Sequence, residues 1–361
     1  MSNLQRDAKK TVSHLGTVLV TGGSGFVGKN FVKRLLEKGL KVKSFDIVPS
    51  DLKHDNLDII TGDICDQQLV EQTCEGVDTV FHTAAIIGLK GGRAVSKAYR
   101  DQSYAINIDA TKNLFKALQK AGGQRFIYTA SNSVIIEGKP IQNGEETQDY
   151  TNRFNDLYTV TKVIAEKWIL ANNGAQGVLT CSIRPSGIWG PGDQTMFKIL
   201  FDQIISGIFL ARVGDGSALL DNTYVHNLIH GQILAAEHLI EGGTSPGQAY
   251  FINDGDPVNM FDFSTPIIEA CGQKMPKLKV PSSVVKWAMV AWQELHFRFK
   301  FPEPPFPPLA VERIAFDNYF SIEKARKELG YEPIYSTQQG IDESTPFYVE
   351  LFNKMKIEAG K

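Results

Sequence analysis

The apolar run Val18-Leu19-Val20 leads directly into TGGSGFVG, residues 21–28, and then into a segment, 26–37, whose apolar residues recur three and four apart. Four glycines fall in those eight positions. Glycine loses more backbone freedom on folding than any other residue, so such a cluster implies that bare backbone is needed there. A strand, a glycine turn and a helix in that order constrain the chain to a βα unit. The start of the helix then directs backbone amides and a positive dipole end out of the turn, where they suit a pyrophosphate. Gly22 allows the tight turn, Gly25 lets phosphates approach, and Gly28 lets helix and strand pack closely. The spacing Gly22-x-x-Gly25-x-x-Gly28 departs from the Gly-x-Gly-x-x-Gly of ordinary dinucleotide folds, and a glycine turn alone is often only a turn. Asp46 strengthens the reading. It lies 24 residues after Gly22, at the predicted end of the second strand, where a carboxylate accepts hydrogen bonds from an adenosine ribose. It would also repel a 2′-phosphate, and its neighbours Ile47-Val48-Pro49 offer no arginine to hold one, so NAD is favoured over NADP. The competing reading of Asp46 is a solvated strand-end aspartate.

Short β-branched runs continue to alternate with longer segments of helical period, the pattern of crossover units on a parallel sheet. Strands are expected at residues 18–20, 42–45, 58–60, 79–82, 126–129 and 179–183, and helices at 26–37, 104–120 and 157–171. The fold class is α/β, a Rossmann doubly wound parallel sheet. A chain of 361 residues exceeds one small core, and past Arg184 proline and glycine increase while helices at 196–205 and 227–240 stand between loops. Residues 1–185 are therefore expected to form the nucleotide-binding domain and 186–361 a smaller substrate lobe, with some later segments returning to the first domain. The proline-rich FPEPPFPP, residues 301–308, reads as an extended connector.

With 38 basic against 40 acidic residues, no net field recruits nucleic acid or an anionic bilayer, and a small-molecule partner is expected. Cysteines 65, 74, 181 and 271 form no Cys-x-x-Cys pair, against both a disulfide framework and a zinc site. The opening MSNLQRDAKK has no apolar core or cleavage site, and no run of about 18 apolar residues occurs. A cytoplasmic location follows as the expectation.

A second constellation is YTVTK, Tyr158 to Lys162, in a segment patterned as helix. Residues four apart share a helical face, so the ammonium and the phenol project into one space. A nearby cation favours the phenolate and brings the group toward use as an acid or base near neutrality. About 25 residues earlier, a strand ending in YTASNS places Ser131 where sheets of this class bind ligands. Ser133 is the competing hydroxyl.

The glycine turn, GDI at 62–64, HTAA at 82–85, Ser131, YTVTK, RPSGIWGPGD at 184–193 and SIEKARKELGYEP at 321–333 together resemble the extended short-chain dehydrogenases/reductases over nearly the whole chain. YTASNSV, RFNDLYTVTKVIAEK, CSIRPSGIWGPGDQTMF, NTYVHNLIHG and KWAMVAWQELHFRF resemble the 3β-hydroxysteroid dehydrogenase/isomerase branch, in particular bacterial enzymes acting on cholesterol-type sterols. The resemblance implies Tyr158 as catalytic base, Lys162 lowering its pKa and holding the nicotinamide ribose, and Ser131 orienting the substrate oxygen. It implies an NAD site at Gly22, Gly25, Phe26, Val27, Gly28 and Asp46. Asp63 and Ile64 would edge the adenine, Ala84 and Ala85 would line the path to the nicotinamide, and Pro185 and Ile188 would bracket its end. Asn107 matches an asparagine used structurally or in a proton relay, with a plain surface amide as the alternative.

Implied chemistry is oxidation of a steroid or sterol 3β-hydroxyl, with isomerisation of a ring double bond from carbon 5 to carbon 4 possible on the resemblance alone. A related branch oxidises sterol 4α-carboxylates with decarboxylation; a basic residue such as Lys90, Arg93 or Lys97 contacting the carboxylate would support it. A nucleotide-sugar epimerase shares the same triad but needs convergent basic residues for its diphosphate. Residues 283–299 form an amphipathic helix that either meets a membrane peripherally or packs inside the second lobe. Segments 104–120 and 157–171 are candidates for the helical seam of a homodimer, or pack only on the sheet. His226 and His230, four apart, lack a third ligand and read as structural, so no metal is expected.

Overall fold

The computed structural model describes residues 13–88, 95–153 and 156–360. The first half runs β1 (Val18–Thr21), α1 (Phe26–Glu37), β2 (Val42–Asp46), β3 (Leu57–Thr61), α2 (Gln67–Cys74), β4 (Thr79–His82), α3 (Lys97–Tyr104), α4 (Thr111–Lys120), β5 (Arg125–Thr129), β6 (Ile141–Gly144), α5 (Leu157–Ala171) and β7 (Leu179–Pro185). The second half runs β8 (Gly187–Trp189), α6 (Met196–Ile205), β9 (Arg212–Val213), β10 (Asn222–Tyr224), α7 (Val225–Glu237), β11 (Ala249–Ile252), α8 (Met260–Ala270), β12 (Lys279–Val280), α9 (Ser282–Phe299), α10 (Pro308–Ala315), β13 (Asn318–Phe320), α11 (Glu323–Leu329) and α12 (Thr337–Glu358).

Seven of the described strands form one parallel sheet in the order β11-β7-β5-β4-β1-β2-β3. All six strands expected from the sequence lie in it. Alternate side chains of β1 feed opposite cores. Val18 and Val20 meet Phe31, Val32 and Leu35 of α1 together with α7 and α11. Leu19 meets Val70 and Cys74 of α2, Leu114 and Phe115 of α4, and Ala165 and Ile169 of α5. The strand order reverses between β1 and β4, which opens a crevice at the carboxyl ends of those strands. The glycine turn, the HTAA loop and the loop after β5 all leave from that edge.

Beyond Pro185 the chain divides its work. α7 and β11 complete the sheet layer, whereas α6, α8 and α12 close around an aromatic core of Trp189, Phe197, Phe201, Tyr224, Phe263, Tyr348 and Phe352. A parallel pair, β10 with β8, lies within this part, and a second, β13 with β6, ties it back to the first half.

Some boundaries differ from the sequence reading. Residues 104–120 are not one regular helix: α3 ends at Tyr104, Ala105–Ala110 form a wide π turn, and α4 starts at Thr111. The reason is Asn107. It exchanges two hydrogen bonds with the Ile86 backbone and a third with Thr161, turned inward by the extra residue. α7 begins at Val225 instead of 227, directly after β10, and ends at Glu237.

Candidate active site

α5 carries Tyr158 and Lys162, and its start is set by Asp156. That carboxylate accepts from the Thr159 amide at 2.7 Å and the Thr159 hydroxyl at 2.9 Å, satisfying an orphan donor of the first turn. One turn beyond Lys162, Glu166 accepts from Ser182 Oγ at 2.7 Å and Arg184 Nε at 2.9 Å, both on β7. The helix is thus pinned at both ends of its reactive face. Lys162 Nζ donates to the carbonyl of Thr129, the last residue of β5, at 2.6 Å. The same nitrogen lies 4.8 Å from the Tyr128 ring centroid and 5.7 Å from that of Tyr158. The Tyr158 phenol hydrogen-bonds with Ser131. Ser131 Oγ also accepts from the Ser133 amide at 3.2 Å, and the next residue, Asn132, donates to Ser186 Oγ at 3.2 Å. Ser131, not Ser133, acts on the phenol; Ser133 Oγ is buried without a partner among the described residues.

Charge in this pocket is governed by burial. Desolvation pushes the Tyr158 phenol up to about 12, opposed by the Ser131 hydrogen bond and the positive Arg313, and assisted by Asp156. Desolvation pulls the Lys162 ammonium down to about 7, with Glu166 opposing. In the protein alone the phenol is thus raised, not lowered, because burial outweighs the neighbouring positive charge. Behind them His82, its ring between the hydroxyls of Thr21 and Thr111 at 2.7 and 2.8 Å, is driven by burial to about 3 and stays neutral.

On the other side of the crevice Gly22 adopts φ +70°, and a Cβ there would stand 3.0 Å from the Ala84 backbone. A Cβ on Gly28 would fall 2.0 Å from the Gly22 carbonyl. Gly25 is the N-cap of α1, no side chain caps that helix, and its first turn holds no acid. The amides of Phe26, Val27 and Gly28 therefore open toward the crevice, an arrangement that fits a pyrophosphate. Asp46 accepts from the Ser24 and Val48 amides, each at 3.0 Å, so it shapes the turn while keeping further lone pairs. Ile47 and Val48 beside it are exposed. Asp63 is exposed and Ile64 half-buried at the end of β3. Thr83 and Ala84 bond to Thr21, and the Asn107 bonds to Ile86 fasten the HTAA loop to Thr161 of α5. Pro185 ends β7, and Ile188 pairs with Thr223. The two motifs thus converge on one crevice.

A family model described as the 3-beta hydroxysteroid dehydrogenase/isomerase family matches residues 19–282. The chain belongs to that family. The 3 beta-hydroxysteroid dehydrogenase/Delta 5-->4-isomerase of Mycobacterium tuberculosis is 57% identical over 354 residues, 98% of this chain and 95% of that protein. Human sterol-4-alpha-carboxylate 3-dehydrogenase, decarboxylating, is 33% identical over 341 residues, 92% of this chain and 88% of that one. Among solved structures, UDP-glucuronic acid 4-epimerase from Bacillus cereus in complex with NAD superposes with a TM-score of 0.71 at 20% identity, covering 93% of this chain and 99% of that one. That likeness concerns the fold.

Within this member of the 3-beta hydroxysteroid dehydrogenase/isomerase family, four site residues escaped the sequence reading. Asn132 adjoins Ser131, and Glu166 sits one helical turn after Lys162, so proximity to a motif was their signal. Arg184 opened a quoted motif without a role, and its role is to neutralise Glu166. Arg313 had no signal: it arrives from α10, 155 residues after Tyr158. Asn107 is buried and bonded to Ile86 and Thr161, which excludes the surface-amide alternative. His226 packs against Tyr224 and Tyr335, and His230 against Tyr331. Lys97 is 92% exposed and pairs with Asp101, while Lys90 and Arg93 lie outside the described residues.

Proposed function

We propose that the chain oxidises the 3β-hydroxyl of a steroid or sterol to the 3-ketone with NAD. The observation that carries this reading is the placement of Tyr158 and Lys162 on one face of α5, the Lys162 ammonium 5.7 Å from the phenol ring and bonded to the end of β5. The chemistry supplied by bound NAD is acceptance of the hydride from carbon 3. Tyr158 takes the hydroxyl proton, Ser131 orients the oxygen and stabilises its developing charge, and Lys162 supplies the proton-labile cation behind the phenol. Gly22, Gly25, Phe26, Val27 and Gly28 would hold the pyrophosphate, Asp46 the adenosine ribose, Asp63 and Ile64 the adenine. Ala84, Ala85, Pro185 and Ile188 would line the nicotinamide end.

Isomerisation of the double bond remains part of the proposal through the name of the M. tuberculosis relative. The decarboxylating alternative calls for a cation to meet a 4-carboxylate. Arg313, the cation acting on Tyr158, is held by Asp156 at 3.0 Å, which favours a substrate without that group. An epimerase reading is disfavoured by the 57% identity to the M. tuberculosis relative against 20% to the UDP-glucuronic acid 4-epimerase. Following NADH absorbance with dehydroepiandrosterone or cholesterol, then with UDP-glucose, tests the choice: turnover of the sugar alone would reject the steroid reading. Tyr158→Phe should keep cofactor affinity and lose oxidation by about a thousandfold.

The finer proposals concern setting. Among the described residues no helix is long and apolar enough to cross a membrane. We read the enzyme as cytoplasmic, docking peripherally through α9, and as a homodimer joined through α3, α4 and α5, where Tyr104 and Ile164 are each 37% exposed.

A further inference from the structure

We propose that Arg313 is a positioning residue for the reaction: reaching across from α10, it clamps the Asp156 carboxylate that starts the catalytic helix and so balances the charge beside the Tyr158 phenol. The proposal rests on Tyr158 being the catalytic base. Arg313 lies outside residues 19–282, the span matched by the family model.

The geometry is that of a three-way junction. Asp156 Oδ2 accepts from Thr159 Oγ1 at 2.9 Å and from Arg313 Nη2 at 3.0 Å, while Oδ1 takes the Thr159 amide. The Asp156 side chain is 3% exposed and that of Arg313 26%. An aspartate this deep needs a counter-charge, because a buried carboxylate left alone is costly. Tyr158 lies between the capping residue and its anchor, Thr159, so a shift of Asp156 moves the phenol. Ser133, Asp156 and Thr159 from one side, and Glu312, Arg313 and Asn318 from the other, line a cavity of about 20 Å³. Four of their buried polar atoms, Ser133 Oγ, Glu312 Oε2, Arg313 Nε and Asn318 Oδ1, have no hydrogen-bond partner among the described residues. The space suits a single water able to link them. α10 is itself tethered, since Lys286 of α9 pairs with Glu312 at 2.5 Å.

The charged and titratable groups around Tyr158 are Asp156 and Lys162 on its own helix, Tyr128 on β5, Arg313 and Glu312 on α10, and Arg153 in the preceding loop. Arg313 lowers the phenol and Asp156 raises it. Removing the arginine therefore exposes the phenol to an unbalanced negative charge.

The test is steroid oxidation by the full chain at saturating NAD across pH, for Arg313→Gln, Arg313→Lys, Asp156→Asn and the Gln/Asn double variant. Asparagine caps a helix as well as aspartate does, so Asp156→Asn removes charge without removing the cap. Arg313→Gln should reduce kcat about tenfold and move the rising limb of the pH profile up by about half a pH unit or more. NADH affinity, read by fluorescence, should be unchanged. Asp156→Asn should bring the limb back down in the double variant, and Arg313→Lys should retain most activity. If Arg313→Gln leaves the limb in place, or loses activity only in proportion to its unfolded fraction, the positioning role is wrong. Tyr158→Phe in the same assay separates the two ideas: activity retained there would overturn both, whereas loss there with an unmoved limb in Arg313→Gln overturns only the clamp.

Discussion

Burying an ammonium beneath a phenol is expensive, and Lys162 shows where the expense falls. Burial pulls it down to about 7 in the folded chain, from the ordinary lysine value of 10.5. The unfolded chain therefore binds more protons across that window, so this residue's contribution to stability improves as pH rises from about 7 toward 10.5 and is worst below it. Lys162→Met, which keeps the volume and discards the charge, should raise the melting temperature by about 3 °C or more at pH near 6 while abolishing oxidation. The gain should shrink near pH 10; thermal unfolding at the two pH values checks both. The residues proposed for this chemistry were legible where a local pattern fixes geometry, as in the four-residue spacing of Tyr158 and Lys162. What the spacing did not convey was burial. A sequence shows that two groups share a face but not how much water remains between them, and here desolvation outweighs their mutual effect.

At the scale of elements, α5 is secured to β7 by the Glu166–Arg184 pair, whose side chains are 0% and 3% exposed. The guanidinium also lies 5.2 Å from the Tyr150 ring and 5.5 Å from that of Phe251. Deleting one partner leaves the other charged and buried, so Glu166→Ala should cost about 3–5 kcal/mol in urea unfolding. The Glu166→Ala/Arg184→Ala double variant should cost less than the sum of the single changes. Sheet strands were readable because each is a compact β-branched run bounded by turns, and α1, α5 and α6 because their apolar periods are intact. The π turn at Ala105–Ala110 was not. One additional residue leaves composition and hydropathy unchanged, and the cause is a buried Asn107 whose partners, Ile86 and Thr161, are remote in sequence. Arg313 was hidden for the same reason of distance.

Taken as a whole molecule, the protein presents one face unlike the rest. Along α9, Val284, Trp287, Leu295 and Phe299 are 56%, 73%, 44% and 73% exposed and share one stripe. Of the helix only Met289 is fully buried, and the other face of the helix packs on α10 through the Lys286–Glu312 pair. Trp292 and His296 bind the backbone of Pro302 and Phe301, folding the proline-rich connector against the helix. Exposed Lys274, Lys277 and Lys279 precede it. A Trp287→Ser/Phe299→Ser variant should bind anionic phospholipid vesicles about tenfold more weakly in sedimentation while oxidising a water-soluble steroid normally. Equal sedimentation would remove the bilayer from the account. The order of the sheet has a consequence for biosynthesis. Because β11 covers the outer edge of β7, a nascent chain released from the ribosome before residue 252 would present a naked parallel strand, an invitation to aggregate. With Arg313 still later, a prematurely terminated product would also lack the clamp on Asp156, and quality control would have an exposed strand to seize.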